Sequence, residues 1–355
     1  VVEDARVGFV FATSGSNPAQ GLEQKIAAQM AIDEINAVGL VPKLIPLFEG
    51  TEGKSEQAVE AFRKLINEDK VHAIIGPTLS AEAQSADPIA QNGAVPVLAV
   101  SNPAGGITDI GDYIFRASLS EARVLPVTVE LAKDKLEVST VCILYALDDP
   151  FSRAEVNVFR AELDRRGIGV LGEMTFSNAD TDFRPQLRAI KELKPDAIVV
   201  SALAGPAQMI LRQARKEVGI AGDVYVIGGY GFTAPQVLED PAAAEGLVVG
   251  TAWSPHSEDD LSKKFVQRYT QVAGKPPGLL AAQAYAGVHI LYSAIKRVDL
   301  KGKTLADARA SIRDSLRGVS DFPTVLGKFS FVDKRDAKHP PVVMLFKDGK
   351  FEVVK

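Results

Sequence analysis

Short apolar runs alternate with amphipathic stretches along most of the chain. Residues 6–12 (RVGFVFA) form a continuous apolar run that predicts a strand. Residues 21–36 then set Leu22, Ile26, Met30 and Ile35 at helical spacing. Residues 43–49 read as a strand, and Pro46 places it at a sheet edge because proline donates nothing to a ladder. Residues 55–67 are helical, with Val59, Phe62 and Ile66 on one face. A strand at 72–76, a helix at 80–91 and a strand at 95–99 follow. After a break near Ser118 the rhythm restarts. Strands are predicted at 140–145, 169–176, 197–201 and 224–228, with helices over 151–166, 183–193 and 206–218.

Short apolar strands separated by helices imply parallel sheets covered on both faces. The chain therefore reads as two α/β units in series. Its tail changes character: a strand at 246–253, three helical stretches, and two or three short strands ending at Val354. Such a tail can return to the first unit and then to the second. Repeated crossings of this kind build a hinge with a cleft beside it. The most apolar stretch, 279–295, carries Gln283 and His289 and is short for a bilayer, so it is expected to be a buried helix.

Composition narrows the function. The net charge of −5 argues against a nucleic-acid partner, which would want a basic face. The single cysteine, Cys142, lies in an apolar run and reads as a core thiol. No signal peptide is visible, and the start at Val1 looks processed.

The tempting motifs fail on position. Gly50 to Ser55 (GTEGKS) imitates a phosphate loop, but Phe48 stands where the first glycine belongs. Gly229 to Ala234 imitates a dinucleotide fingerprint, yet it follows the fourth strand of its unit instead of the first, and it reads as a flexible turn. The four histidines, His72, His256, His289 and His339, are scattered, so no metal or cofactor is expected. No nucleophile–base constellation is visible, which argues against an enzyme. Asp148 and Asp149 follow a strand end, where α/β ligand sites lie, although a helix-cap pair before Pro150 explains them as well.

Several segments carry a resemblance. Thr13-Ser14-Gly15, then Gln20 and the helix ending in Ala31 to Asn36 (AIDEIN), open the pattern. Ile74 to Pro77 (IIGP) with Ser80, Pro96 to Ser101 (PVLAVS), Ile210 to Ala214 (ILRQA) and Ala244 to Leu247 (AEGL) continue it in order. The chain resembles the leucine/isoleucine/valine-binding protein family, the type I periplasmic receptors of ABC importers. The resemblance implies two Rossmann-like lobes joined by three crossovers, with lobe one at 1–120 plus 250–330 and lobe two at 121–249 plus 331–355. It further implies closure over a small ligand, docking on a membrane permease and a periplasmic location. A monomer is expected.

The resemblance also assigns a pocket. Ser80 matches the serine that takes the ligand carboxylate, and a serine capping a helix N-terminus suits an anion. Ser101 and Asn102 match the loop that faces the ligand head group, and Gln20 falls where some relatives carry a tyrosine. The departures point to the ligand. Amino-acid binders place threonine where this chain has Pro103, and their ammonium-binding glutamate aligns with Tyr230. Leu203 and the Pro150–Phe151 pair replace tyrosines. Trp253 is expected near a crossover, as part of the wall. The expected ligand is a small carboxylic acid without an α-ammonium group, aromatic or keto. The rivals are an amino-acid receptor using Asp148 or Asp149, and the sensing domain of a regulator.

Overall fold

The computed structural model describes residues 4–15, 18–39, 41–333 and 335–355. The described chain forms two compact units, Val1–Ser120 with Ala252–Pro340, and Glu121–Thr251 with Pro341–Lys355.

The first unit is built on β1 (Ala5–Phe11), α1 (Pro18–Ala37), β2 (Leu44–Gly50), α2 (Ser55–Asn67), β3 (Ala73–Ile75), α3 (Ser80–Asn92), β4 (Val97–Ala99) and β5 (Ile114–Arg116). Its sheet runs in the order β2-β1-β3-β4-β5, with every pair parallel. Pro46 therefore does sit on an edge strand. The order reverses between β1 and β3, and the loops leaving such a switch point form the ligand crevice of open α/β sheets. Phe62, Leu65, Ile74, Ala83, Ala86 and Val97 pack one core between this sheet and its helices.

The second unit contains α4 (Glu121–Leu136), β6 (Thr140–Ala146), α5 (Pro150–Arg165), β7 (Gly169–Phe176), α6 (Arg184–Leu193), β8 (Ala197–Ser201), α7 (Ala204–Arg212), β9 (Tyr225–Gly228) and β10 (Leu247–Thr251). A wider π turn over Gln213–Val218 extends α7. Along β6, Cys142 and Leu144 enter one core while Val141 and Ile143 enter another, so both sheet faces are buried. Cys142 is fully covered, and burial pushes its thiol upward. The order reverses again between β6 and β8.

The tail supplies α8 (Asp260–Ala273), α9 (Leu279–Ile295) and α10 (Leu305–Arg317) to the first unit, with a small sheet of β11 (Phe322–Thr324), β12 (Gly327–Val332) and β13 (Asp336–Lys338). Residues 331–340, expected in the second lobe, belong to the first unit. β12 pairs with β13, and Asp336 binds Arg116 of β5. Only β14 (Val342–Lys347) and β15 (Lys350–Val353) join the second sheet, both antiparallel. The apolar helix α9 is buried nearly all round. No helix among the described residues is long and apolar enough to cross a membrane.

Candidate functional site

In the first unit the switch point is shaped by a glycine. Gly76 has φ +116°, and a Cβ there would lie 2.3 Å from the Val10 carbonyl oxygen, so only glycine lets the chain leave β3 this close to β1. The loop then reaches α3 through Leu79, whose backbone N–H donates to Glu82 at 3.0 Å. Leu79, not Ser80, is the N-cap. Ser80 stands in the first helical turn, half-buried, and its hydroxyl accepts a long hydrogen bond of 3.4 Å from the Ala104 N–H. The Ser80 hydroxyl is therefore not consumed in capping. The first N–H groups of a helix have no partner inside it and carry the positive end of its dipole.

Ser101 and Asn102 are tied into the framework of the first unit. Ser101 donates to the Thr78 carbonyl at 2.8 Å and accepts from Gln24 Nε2 at 2.8 Å. Gln24 accepts in turn from the Thr78 hydroxyl at 2.7 Å, and that hydroxyl accepts from the Ala12 N–H at 2.9 Å. This buried chain ties the ends of β1, β3 and β4 into one rigid face. Asn102 is fully buried, its N–H bound to the Ser118 hydroxyl at 3.1 Å, and its Oδ1 has no protein partner. Arg116, 5% exposed, donates to the Pro103 and Ala104 carbonyls at 3.2 and 2.6 Å and forms a two-pronged pair with Asp336 at 2.7 and 2.9 Å. Gln20 is half-buried in the first turn of α1. Trp253 is 3% exposed, packs on Phe265 and donates its indole N–H to the Ser262 hydroxyl.

In the second unit Asp149 caps α5, accepting from the Ser152 N–H at 2.7 Å and the Ser152 hydroxyl at 2.6 Å. Asp148 accepts from the Ser177 hydroxyl at 2.6 Å, which holds its carboxyl below the usual range, and from the Asn178 N–H at 2.9 Å. The Phe151 and Tyr230 rings meet edge to face at 6.2 Å. Tyr230 opens a 3₁₀ turn over Tyr230–Thr233. A Cβ on Gly231 would fall 2.0 Å from the Ala202 carbonyl, so glycine brings this turn against the loop bearing Leu203. Leu203 and Tyr230 keep 43% and 38% of their surface exposed, leaving an apolar face with one phenol. The turn is braced rather than flexible, because its Tyr230 N–H donates to the buried Glu155 at 2.7 Å. Gln24, Thr78, Arg116 and Glu155 escaped the sequence reading. Their partners are remote in the chain, and no local spacing marks them. Among the described residues no cluster of His, Cys, Asp and Glu is suited to a metal.

The comparisons with known proteins agree with this frame. The model of a family described as periplasmic binding protein matches residues 4–350. The chain belongs to the periplasmic binding protein family. Its relatives place it in the leucine/isoleucine/valine-binding group with the type I fold, and make it a solute-binding protein of ABC-transporter type. The Leu/Ile/Val-binding protein BraC3 of Rhizobium johnstonii is 24% identical, over 94% of this chain and 89% of its own. The branched-chain amino-acid transporter substrate-binding protein LivJ of Streptococcus pneumoniae, solved with isoleucine, is 27% identical, with TM-score 0.82 and 99% and 100% coverage. A solute-binding protein of Rhodopseudomonas palustris, solved with 3,4-dihydroxybenzoic acid, is 22% identical, with TM-score 0.76 and 98% and 95% coverage. Membership of this family implies a periplasmic location.

Proposed function

We infer that this periplasmic binding protein captures a small carboxylic acid lacking an α-ammonium group, an aromatic acid or an aryl or branched keto acid, for an ABC permease. The first unit offers an anion end in Ser80 and the N-terminus of α3. The second offers an apolar wall of Phe151 and Leu203 with the Tyr230 phenol. One observation carries the reading: the acids beside that wall in the second unit already hold their own unit's backbone and hydroxyls. Asp149 caps a helix, Asp148 holds the 177–178 loop, and Glu155 faces the Tyr230 backbone. A buried ammonium without a partner costs several kcal/mol, and the residue this wall presents is the neutral Tyr230 phenol. The dihydroxybenzoate seen in the R. palustris protein shows that the fold admits such a ligand.

The rival, a hydrophobic amino-acid receptor, is favoured by the isoleucine in the S. pneumoniae protein. A thermal-shift panel separates the two. The true ligand raises the melting temperature by mass action. Benzoate, phenylpyruvate or 4-methyl-2-oxopentanoate is expected to stabilise the protein more than phenylalanine or leucine. The reverse order would assign it to the amino-acid receptors.

A further inference from the structure

The first unit holds a cavity that the carboxylate reading does not use. Its volume is about 280 Å³, and it lies between α8, α9, the end of α1 and β11. All its lining residues belong to the first unit, and none lies on the loops that leave the sheet's switch point. Phe265, Phe322 and Val325 give it apolar walls. Its polar groups centre on Glu34 of α1. The Tyr285 hydroxyl donates to Glu34 Oε2, and Arg268 Nη1 stands 2.8 Å from Oε1. That ion pair lacks hydrogen-bond alignment, so the buried Oε1 has no donor among the described residues. His289 lies against the Tyr285 ring, with centroids 4.7 Å apart, and its Nε2 is 3.8 Å from Glu34 Oε2. That nitrogen is buried too and has no hydrogen-bond partner. Further along α9, Tyr292 is 5% exposed, and its hydroxyl is likewise without a partner. Tyr292 lines an adjoining cavity of about 330 Å³ that shares Glu34, His289 and Phe322 with the first.

Buried polar atoms are normally bonded, so three orphans around two joined cavities call for a guest that completes them. Size sets the guest's body. A cavity of about 150 Å³ takes up benzene, so this one accommodates a single substituted ring. Charge sets its head group. Arg268 already balances Glu34, and Lys264 adds a second cation to the lining, which opposes an ammonium. The Glu34 carboxylate opposes a second anion. Glu34 Oε1 can only accept a hydrogen bond. Burial keeps His289 neutral, so its ring offers one donor and one acceptor. A hydroxyl both donates and accepts, and so satisfies the two together. We propose that this cavity is a second ligand site, which takes a neutral single-ring molecule bearing a hydroxyl, a phenol or an aryl alcohol, with its ring on Phe265, its O–H donated to Glu34 and its oxygen beside His289. The site stands independently of the carboxylate reading at Ser80 and Tyr230.

Calorimetry on the whole protein tests this with 4-methylphenol, toluene, 4-methylbenzoate and 4-methylbenzylamine, which keep one ring and change its head. 4-Methylphenol is expected to bind at least about tenfold tighter than each of the others. H289L removes the nitrogen and leaves no unpaired polar atom in its place; it is expected to weaken 4-methylphenol by about tenfold. V325F fills the apolar end and is expected to abolish binding. Y230A, in the other unit, is expected to bind 4-methylphenol as wild type does. No heat of binding, equal affinity for toluene, a tighter acid or amine, or indifference to H289L overturns the proposal, whether or not V325F folds. Loss of binding in Y230A overturns it as well, by moving the phenol to the wall of the second unit.

Discussion

Ser80 sits one residue inside its helix, and that small displacement defines its chemistry. The Leu79 N–H is already taken by Glu82, while the hydroxyl of Ser80 makes one long contact with the Ala104 N–H. Glu82 is itself anchored by the Thr51 hydroxyl at 2.5 Å, so the start of α3 is fixed before any ligand arrives. A charge-assisted hydrogen bond contributes roughly 1.5–3 kcal/mol. Ser80→Ala is therefore expected to weaken binding of the carboxylate ligand by about one to two orders of magnitude without abolishing it, because the backbone N–H groups remain. Calorimetry with the best ligand of the panel checks this, and an unchanged dissociation constant would take Ser80 out of the site. Trp253 and Asp149 show the limit of residue-level reading. An indole looks the same in sequence whether it walls a ligand or fills a core; Trp253 is buried and donates to the Ser262 hydroxyl. An aspartate before a proline at a strand end fits a helix cap and a ligand contact equally well. The structure shows the cap, accepted from Ser152.

The elements that were legible are those whose pattern is local. β7 and β8 were read to the residue, and α2 likewise, because apolar runs of strand length and a clear helical face leave little choice. β5 was missed: three residues ending in an arginine make no apolar run. α4 was missed because Pro126 interrupts its pattern, although the chain continues helical through it. The return of β13 to the first unit was also hidden, since its tie is an ion pair spanning most of the chain. Arg116 ends β5, and Asp336 opens β13. Their side chains keep 6% and 16% of their surface, and the same guanidinium holds the carbonyls after Asn102. Removing one partner of a buried pair costs about 3–5 kcal/mol. Asp336→Asn is thus expected to lower the urea midpoint of the first unit and to leave the second unit's transition in place. A shift worth under about 1 kcal/mol would show that the backbone carbonyls alone satisfy Arg116.

At the scale of the whole molecule, the chain passes from one unit to the other at 120/121, 251/252 and 340/341, and each unit keeps its own sheet, switch point and core. The βα rhythm announces two such units because each repeats strand, helix, strand with short loops. The environment of the acids is fainter in sequence: the Asp149 cap is local, but the bonds of Asp148 to 177–178 and of Glu155 to Tyr230 join remote segments. One buried atom has a practical consequence. The chain's only sulfhydryl, Cys142, is sealed in β6, and thiol chemistry needs an accessible thiolate. A maleimide dye is expected to leave the native protein unmodified and to add one label after unfolding in urea, as intact mass would show; labelling of the native protein would contradict the burial. The molecule is thereby a blank background for optical reporting. With Val272→Cys on the outer face of α8, where the native side chain is 63% exposed, every photon collected would come from one known position.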